Sequence, residues 1–225
     1  MDVAVLFSGA KDSTFAVYKA MQRGHNVKYL VSLIPENPGS VMFGQPNISL
    51  TALQAEAMGI PIRTKATKGS EENELDDLWE ILSSMKGEIQ GVVTGFLGNN
   101  YQRARIERVL RRLGLKHIMP SWKENMRDYW EEIILSGFEV IISSITSEGL
   151  DESWLGKKID WEAFTKLSRL SRKHGLHRGF EAGEAESFVL DGPLFRKRVK
   201  ILKAHREWDG SKGVYVIDDA VLEEK

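Results

Sequence analysis

The residues most able to do chemistry in this 225-residue sequence form the segment SGAKDS at positions 8–13. The segment lies between an apolar run, Val3–Phe7, and a stretch with helical spacing that ends near Arg23, which predicts a strand, a tight turn and a helix. The first turn of a helix has N–H groups without an intrahelical acceptor and the positive end of the dipole, so this turn is a ready anion site. Phosphate is the ligand that it favours. The alternative is a strand–turn–helix that is merely rich in Ser and Gly.

Side chains of the same segment add to this anion site. Gly9 allows a ligand to approach the backbone closely, and Lys11 supplies a mobile positive charge. Ser8 and Ser13 add hydroxyl donors. The segment does not match the Walker pattern, because Asp12 follows the lysine where Ser or Thr is required, and it lacks the dinucleotide glycine fingerprint.

A second set of reactive side chains lies in the acidic segment EAGEAES at positions 181–187. Glu184 and Glu186 are two residues apart, so on an extended chain both side chains lie on the same face. Two like charges placed in this way repel each other unless a cation lies between them. The pair would suit Mg²⁺, a substrate ammonium group or general-base catalysis. An acidic surface turn is the alternative interpretation, and the spacing alone favours it.

The elements that position these segments alternate between strand and helix up to Pro120. Strands are predicted at Val3–Phe7, Val27–Ile34, Ile60–Thr64, Gly91–Gly95 and His117–Met119. This alternation implies parallel pairing through right-handed crossovers, and therefore a doubly wound parallel five-stranded sheet of the α/β class. Ligands bind such sheets at the carboxyl ends of the strands, where the strand order reverses. We therefore expect the segment 8–13 and Gly95, which follow the first and fourth strands, to face one crevice.

The pattern changes after Pro120 and predicts a second, smaller α+β domain, mixed but mainly antiparallel. Its predicted elements are a helix over Asp128–Leu135, a strand over Val140–Ile145, a helix capped by Asp160, and strands over Phe188–Leu190, Val199–His205 and Val214–Ile217. The predicted domains are residues 1–120 and residues 121–225. Within the first, the loop that carries Met42 and Phe43 is more apolar than a surface loop requires. It is either a mobile flap or a loop packed on the core.

Composition limits the class of protein. The formal net charge is −1 and 28% of the residues are charged, as in ordinary globular proteins, so a nucleic-acid partner would need a local basic patch. The chain has no cysteine, which excludes disulfides, a thiolate metal site and a catalytic thiol. No apolar run approaches the roughly 20 residues of a membrane span, and the first residues do not resemble a signal peptide. We expect a cytoplasmic protein without a membrane partner.

Three segments jointly resemble the diphthine–ammonia ligase (diphthamide synthase) family, within the N-type ATP pyrophosphatase or PP-loop superfamily. They are SGAKDS at 8–13, TGFLGNNYQRARIERVLRRLGL at 94–115 and EAGEAESFVLDGPLF at 181–195. The first is similar to SGGxDS, with Ala10 at the second glycine, where a positive φ would cost about 1 kcal/mol or more. The acidic segment is similar to EGGExE followed by Ser or Thr, with Ala182 at the first glycine. Gly44 stands where a histidine usually follows the Met-Phe pair of the family.

The resemblance implies a HUP-like, adenine nucleotide alpha hydrolase-like fold and an ATP-dependent amidation through an acyl-adenylate, with release of AMP and pyrophosphate. The implied nucleotide-binding residues are Ser8, Gly9, Ala10, Lys11, Asp12, Ser13, Gly95, Gln102 and Arg105. Asp12 would lie near Mg²⁺, and Lys11 would offset charge on the leaving pyrophosphate. Glu184 and Glu186 would face the substrate or ammonia. The implied catalytic residues are Lys11, Asp12, Glu184 and Glu186.

By the same resemblance the partners are ammonia and translation elongation factor 2, which carries the diphthine side chain. An oligomer is possible. Two other classes of function stay open. A tRNA-modifying PP-loop enzyme could use the basic helix Arg103–Arg112 on RNA phosphates, although the overall charge does not support nucleic acid and the lack of cysteine disfavours a thiolating enzyme. A regulatory module would bind ATP or AMP without chemistry, and paired carboxylates argue against it.

Overall fold

The protein structure, a computed structural model, describes residues 1–36, 46–68 and 71–225. Five strands form a parallel sheet in the order β3-β2-β1-β4-β5: β1 (Asp2–Leu6), β2 (Asn26–Pro35), β3 (Ile62–Thr67), β4 (Gly91–Val93) and β5 (Lys116–Ile118). The predicted doubly wound parallel sheet is confirmed, with strand ends shifted by a few residues. The strand order reverses between β1 and β4, so the crevice expected for a ligand lies at the carboxyl ends of these two strands.

Helices cover both faces of this sheet: α1 (Lys11–Gln22), α2 (Thr51–Met58), α3 (Glu71–Ser83) and α4 (Asn100–Leu113). Side chains alternate along β1, so Val3 and Val5 belong to one apolar core with residues of α1 and α2. Ala4 and Leu6 belong to a second core with residues of α3 and α4. Because α1 follows β1 and α4 follows β4, both helices begin at the edge of the sheet where the crevice lies.

Local caps set the limits of α4. The side chain of Asn99 accepts a hydrogen bond from the backbone N–H of Gln102 at 3.1 Å, which starts the helix. Gly114, with a φ of +70°, ends it. Ile106 and Leu110 are buried on one face of the helix. The N-terminal turn of α4 is therefore held beside the carboxyl end of β4.

A four-stranded antiparallel sheet in the order β7-β6-β9-β8 forms most of the rest. Its strands are β6 (Glu139–Ile145), β7 (Ala185–Asp191), β8 (Lys197–Trp208) and β9 (Gly213–Glu224), accompanied by the helices α5 (Met126–Leu135) and α6 (Trp161–His174). Asp160 caps α6 as predicted, accepting from the N–H of Ala163 at 2.9 Å. Every strand pair of this sheet is antiparallel among the residues described, so the expectation of mixed pairing is wrong.

Strand β9 extends well past Ile217, where the predicted strand ends. Residues 218–224 contain four carboxylates, and a run so acidic does not indicate a strand. The partner strand β8 supplies the compensating charge: Arg198 Nε lies 2.6 Å from an oxygen of Glu223, and Lys200 also bridges Glu223. Cross-strand pairs of opposite charge stabilise such ladders, so the acidic segment is extended because of what lies opposite.

Helix α1 connects the parallel sheet to the second half of the chain. The ring of Phe15 packs edge-on against Tyr129 of α5 at 5.3 Å and against Phe138 at 5.7 Å. Phe188 of β7 belongs to the same core. The start of α1, which carries the segment 8–13, is therefore enclosed by residues from both halves of the chain.

The remaining expectations concern the domain limit, the loop with Met42 and Phe43, and membrane-spanning helices. The predicted domain limit at residues 120 and 121 falls in the segment between β5 and α5, and it stays a prediction. The expected flap with Met42 and Phe43 lies outside the described residues. Among the helices that the structure describes, none is long and apolar enough to cross a membrane.

Candidate active site

A cavity of about 500 Å³ lies where the sheet order reverses. Its size is ordinary for a small-molecule site. Seven of the predicted site residues line it: Ser8, Ala10, Asp12, Ser13, Gly95, Gln102 and Glu186. Residues not singled out from the sequence also line it, among them Thr94, Phe96, Tyr101, Phe180 and Glu181. The first and fourth strands therefore open onto one crevice, as the strand order predicted.

Gly95 allows the end of β4 to abut the start of α1. A Cβ atom at this position would lie 2.4 Å from both the carbonyl carbon and the oxygen of Asp12, and 2.7 Å from the nitrogen of Ser13. These distances are far below van der Waals contact, and the obstructing atoms are backbone atoms. Only glycine at position 95 permits this approach.

The conformation of the segment 8–13 depends on Gly9. Its φ is +77°, and a Cβ there would meet the side-chain oxygen of Gln54 at 2.3 Å. The amide nitrogen of Gln54 donates to the carbonyls of Gly9, at 3.0 Å, and Val189, at 2.7 Å. Ala10 has a φ of −75° and is unstrained, so the strain expected at position 10 is absent. The positive φ is at Gly9, which shapes the loop without lining the cavity.

The first turn of α1 has the geometry of an anion site. Ala10 precedes the helix and provides no side-chain cap. The N–H groups of Asp12 and Ser13 lie in the first turn and therefore have no acceptor within the helix. Both residues line the cavity. The N–H of Lys11 is satisfied instead by the hydroxyl of Ser187 on β7, at 3.1 Å. The hydroxyls of Ser8 and Ser13 lie 3.2 Å apart. The loop therefore offers backbone and hydroxyl donors together with the helix dipole.

Lys11 does not occupy the position that the sequence suggested. Its Nζ is buried and donates to Asp12 Oδ2, at 2.6 Å, and to the carbonyl of Gly179, at 2.8 Å. The rings of Trp130 and Phe180 lie 5.8 and 5.4 Å from it. The ammonium group is therefore fixed beside the cavity by hydrogen bonds, whereas the sequence suggested a mobile charge inside it.

Asp12 is held through both carboxylate oxygens. While Lys11 bonds to Oδ2, the hydroxyl of Tyr129 donates to Oδ1 at 2.5 Å. Burial, and next the charge of Asp12, raise the pKa of Tyr129 well above its usual value. The phenol therefore stays protonated and acts as the donor. The side chain of Asp12 remains 27% exposed and lines the cavity.

The two carboxylates expected on one face have different surroundings. Strand β7 begins only at Ala185, and Glu184 precedes it in a bend. Oε1 of Glu184 accepts from the N–H of His177 at 2.6 Å, and Oε2 from the N–H of Ala182 at 3.1 Å. Glu186 lines the cavity. The prediction of a shared face is wrong because the chain becomes extended after Glu184, and Glu184 orders the loop 177–182 instead.

Glu181 is the cavity carboxylate that the sequence reasoning missed. Its Oε2 accepts from the N–H of Gly98 at 2.9 Å, which ties the acidic segment to the region after β4. Burial, followed by the negative charge of Asp12, raises its pKa above the usual value. The signal was present, since Glu181 opens the same acidic segment. Because the strand begins only at Ala185, the two glutamates that line the cavity are Glu181, in the loop before the strand, and Glu186, in the strand.

The two residues expected on α4 differ in position. Gln102 lines the cavity, whereas Arg105 is not among the described lining residues. The guanidinium of Arg105 lies 5.3 Å from the ring of Tyr101 and donates to its hydroxyl at 3.2 Å. Tyr101 itself lines the cavity. Arg105 therefore lies behind Tyr101, which separates it from the cavity.

A buried histidine stands behind the cavity wall. Thr94, which lines the cavity, forms a hydrogen bond of 2.9 Å between its hydroxyl and Nε2 of His117. Nδ1 of His117 lies 3.6 Å from Glu107. Burial lowers the pKa of His117, and this effect outweighs the opposing one of Glu107. His117 is therefore neutral at pH 7.

We expect His117 to make the protein less stable as the pH falls from 7 to 5. Because its pKa is lower in the folded chain than in the unfolded chain, the unfolded chain binds the proton first and is favoured by it. The neutral His117 contributes its full share of the folding stability above the ordinary histidine pKa, and this share is lost as the pH falls below that pKa. Urea unfolding at both pH values should show a smaller decrease in unfolding free energy for His117→Gln than for the parent protein.

His205 is the matched control, because it is exposed and its hydrogen bonds to the carboxylates of Asp218 and, next, Glu207 raise its pKa. The folded chain therefore binds this proton more tightly, and His205 stabilises the fold as the pH falls. His205→Gln should enlarge the decrease between pH 7 and pH 5. Equal decreases in His117→Gln and the parent protein would contradict the role assigned to His117.

A parallel α/β sheet with a helix N-terminus at its switch point, and carboxylates lining the same cavity, is the arrangement in which α/β proteins bind nucleotides and other phosphate compounds. Two family models cover nearly all of the chain: the diphthamide synthase N-terminal domain matches residues 1–117, and the diphthamide synthase C-terminal domain matches residues 125–222. The chain therefore belongs to the diphthamide synthase family. Membership makes it an ATP-dependent ligase that forms a carbon–nitrogen bond.

Curated relatives support this family. The diphthine–ammonia ligase of Rattus norvegicus is 35% identical, over 89% of this chain and 83% of its own length. That of Homo sapiens is 34% identical, over 88% and 82%. A solved structure titled as a predicted subunit of a tRNA methyltransferase from Methanocaldococcus jannaschii aligns with 17% identity and a TM-score of 0.46, over 86% of this chain and 98% of that one.

Proposed function

We propose that this protein converts diphthine on translation elongation factor 2 to diphthamide. It would activate the diphthine carboxylate with ATP and replace the adenylate with ammonia. The observation that supports this proposal is one cavity that is lined both by residues at the N-terminus of α1 and by two carboxylates, Glu181 and Glu186. The helix N-terminus suits phosphate, and the carboxylates suit a cationic or proton-donating reactant.

The residues present fit ATP. The serine hydroxyls and the first turn of α1 would hold phosphate oxygens. Leu6, Phe7 and Ile106 supply apolar surface on the same cavity, as a nucleoside requires. Lys11 lies beside the loop, and its charge would stabilise the leaving pyrophosphate if the ammonium turned from Gly179 toward the ligand.

Asp12 fits a magnesium ion that is held mainly by phosphate. Each oxygen of its carboxylate has one described partner, Lys11 or Tyr129, and keeps a further lone pair. Mg²⁺ is often bound by one or two carboxylates, substrate phosphates and water. Within residues 1–36, 46–68 and 71–225, no group of three or more Asp, Glu, His or Cys could hold a metal ion, which is consistent with a site completed by the nucleotide.

The proposed reaction has two steps. A carboxylate oxygen attacks the α-phosphorus, a carbon–oxygen–phosphorus link forms, and the bond to pyrophosphate breaks. The nitrogen of ammonia then attacks the carbonyl carbon, AMP leaves, and the nitrogen loses a proton to a base. Glu181 and Glu186 line the cavity and would take this proton or hold an ammonium ion. Burial raises the pKa of Glu181, which makes it a better base than an exposed glutamate.

The nucleotide products test the proposal. We expect AMP and pyrophosphate, in amounts equal to the amide formed, when the protein is mixed with ATP, Mg²⁺, ammonium and diphthine-bearing elongation factor 2. Chromatography of the nucleotide and mass spectrometry of the factor measure both. ADP and inorganic phosphate as main products would contradict the proposal. AMP formation that requires tRNA would favour a tRNA-modifying enzyme, and binding without turnover would favour a regulatory module.

A further inference from the structure

Two consecutive residues of α5 hold two consecutive residues of the loop. The hydroxyl of Tyr129 donates to Asp12 Oδ1 at 2.5 Å, and the ring of Trp130 lies 5.8 Å from Nζ of Lys11. Trp130 is itself oriented by the bond from its Nε1 to the carbonyl of Arg178, at 2.8 Å. Both aromatic residues are fully buried. A helix more than 100 residues away along the chain therefore determines where Lys11 and Asp12 are held.

The contact with Tyr129 has a consequence that the other contacts do not share. Lys11 draws Asp12 toward Gly179, where its Nζ is buried away from the cavity. The hydroxyl of Tyr129 bonds to the opposite oxygen and so determines the rotation of the carboxylate. Because a short hydrogen bond to a charged acceptor is among the stronger ones in proteins, its loss would leave Asp12 oriented by Lys11 alone.

We propose that Tyr129 is a positioning residue for Asp12, which it keeps oriented toward the cavity for a divalent cation bound with the nucleotide. The inference rests on the proposed function, because Asp12 is there the residue that contacts Mg²⁺. Among the described residues Tyr129 does not itself line the cavity, and it acts through Asp12, which does. The segment 8–13 would then need α5 in order to hold Asp12 in the orientation that binds the cation.

Calorimetry on the full chain tests this role without turnover. The probe is α,β-methylene-ATP, with either excess Mg²⁺ or a chelator. In the parent protein Mg²⁺ should strengthen binding. In Tyr129→Phe the Mg²⁺-dependent gain should fall about tenfold, as expected for loss of a hydrogen bond to a charged group, whereas the affinity in chelator should stay within about twofold. The phenylalanine ring keeps the packing against Phe15, so the fold is retained.

Tyr18→Phe is the matched control, because Tyr18 lies on α1 and packs against Phe15 and Phe138. It should leave both affinities unchanged. A Tyr129→Phe variant with a lower melting temperature and an undiminished Mg²⁺ gain would overturn the positioning role and make Tyr129 structural.

A crystal structure of Tyr129→Phe separates this inference from the proposed function. The carboxylate of Asp12 should turn toward Lys11 whether or not the protein makes diphthamide. An unmoved carboxylate overturns the inference. A parent protein that binds the nucleotide without any Mg²⁺ gain contradicts the metal role of Asp12 in the proposed function, and with it this role of Tyr129.

Discussion

Gly95→Ala is expected to weaken nucleotide binding by about 100-fold or more. The added Cβ would lie 2.4 Å from the carbonyl of Asp12 and 2.7 Å from the nitrogen of Ser13. These are backbone atoms of the first turn of α1, so relief requires that β4 and α1 separate. The shifted N–H groups would no longer reach the phosphate, and loss of hydrogen bonds to a charged group at about 1.5–3 kcal/mol each lowers the affinity about 100-fold or more. Titration calorimetry with ATP measures the affinity, and circular dichroism confirms that the fold is retained.

Gly98→Ala is the control for Gly95→Ala. Here the Cβ would meet only the side-chain oxygen Oε2 of Glu181, at 3.9 Å, which is an ordinary contact. The same chemical change, three residues later, should therefore keep the affinity for ATP within about twofold. Normal nucleotide binding by a folded Gly95→Ala protein would show that the close approach of β4 to α1 is not needed for the site.

Glu186→Gln is expected to abolish amide formation while the protein still binds ATP. Glu186 lines the cavity, and glutamine keeps its size but removes its charge and its ability to accept a proton. Loss of a general base lowers the rate by about 100- to 10,000-fold. Mass spectrometry of the elongation factor measures amide formation, and calorimetry measures binding of ATP.

Glu184→Gln makes the same change on the neighbouring carboxylate and separates catalysis from structure. Both oxygens of Glu184 accept backbone N–H groups, from His177 and Ala182. Glutamine has one acceptor oxygen, so one of these donors loses its partner at a cost of about 1–3 kcal/mol of folding stability. Amide formation should survive in the folded fraction. A stable Glu184→Gln protein that forms no amide would move the catalytic role to Glu184.

The parallel sheet could be predicted from the sequence because its signals are local. Each strand is a short apolar run and each helix has a stripe of apolar residues, so alternation along the chain implies the topology. The antiparallel sheet was harder to predict. Strand β9 ends at Glu224, not at Ile217, because cross-strand pairs with Arg198 and Lys200 stabilise an acidic run that looks unfavourable alone.

The candidate site was predicted where a residue's role depends on its neighbours in the chain. Ser8, Asp12 and Ser13 line the cavity because they follow a strand and open a helix, and Gly95 does so because it follows the fourth strand. The site was mispredicted where the position of a side chain depends on a partner far away in the chain. Glu184 lies outside the strand because β7 begins to pair with β6 only at Ala185, opposite Ile145.

Three features can be inferred from the amino-acid sequence alone: the strand–turn–helix at residues 8–13, the doubly wound sheet and the family to which the chain belongs. These depend on residue type, period and motif, which a linear chain displays directly. Three others become visible only in the folded chain: Lys11 is buried against Trp130, Tyr129 holds Asp12, and Glu181, not Glu184, lines the cavity. These contacts join residues far apart in the chain, and packing of the whole core selects them, so no local pattern encodes them.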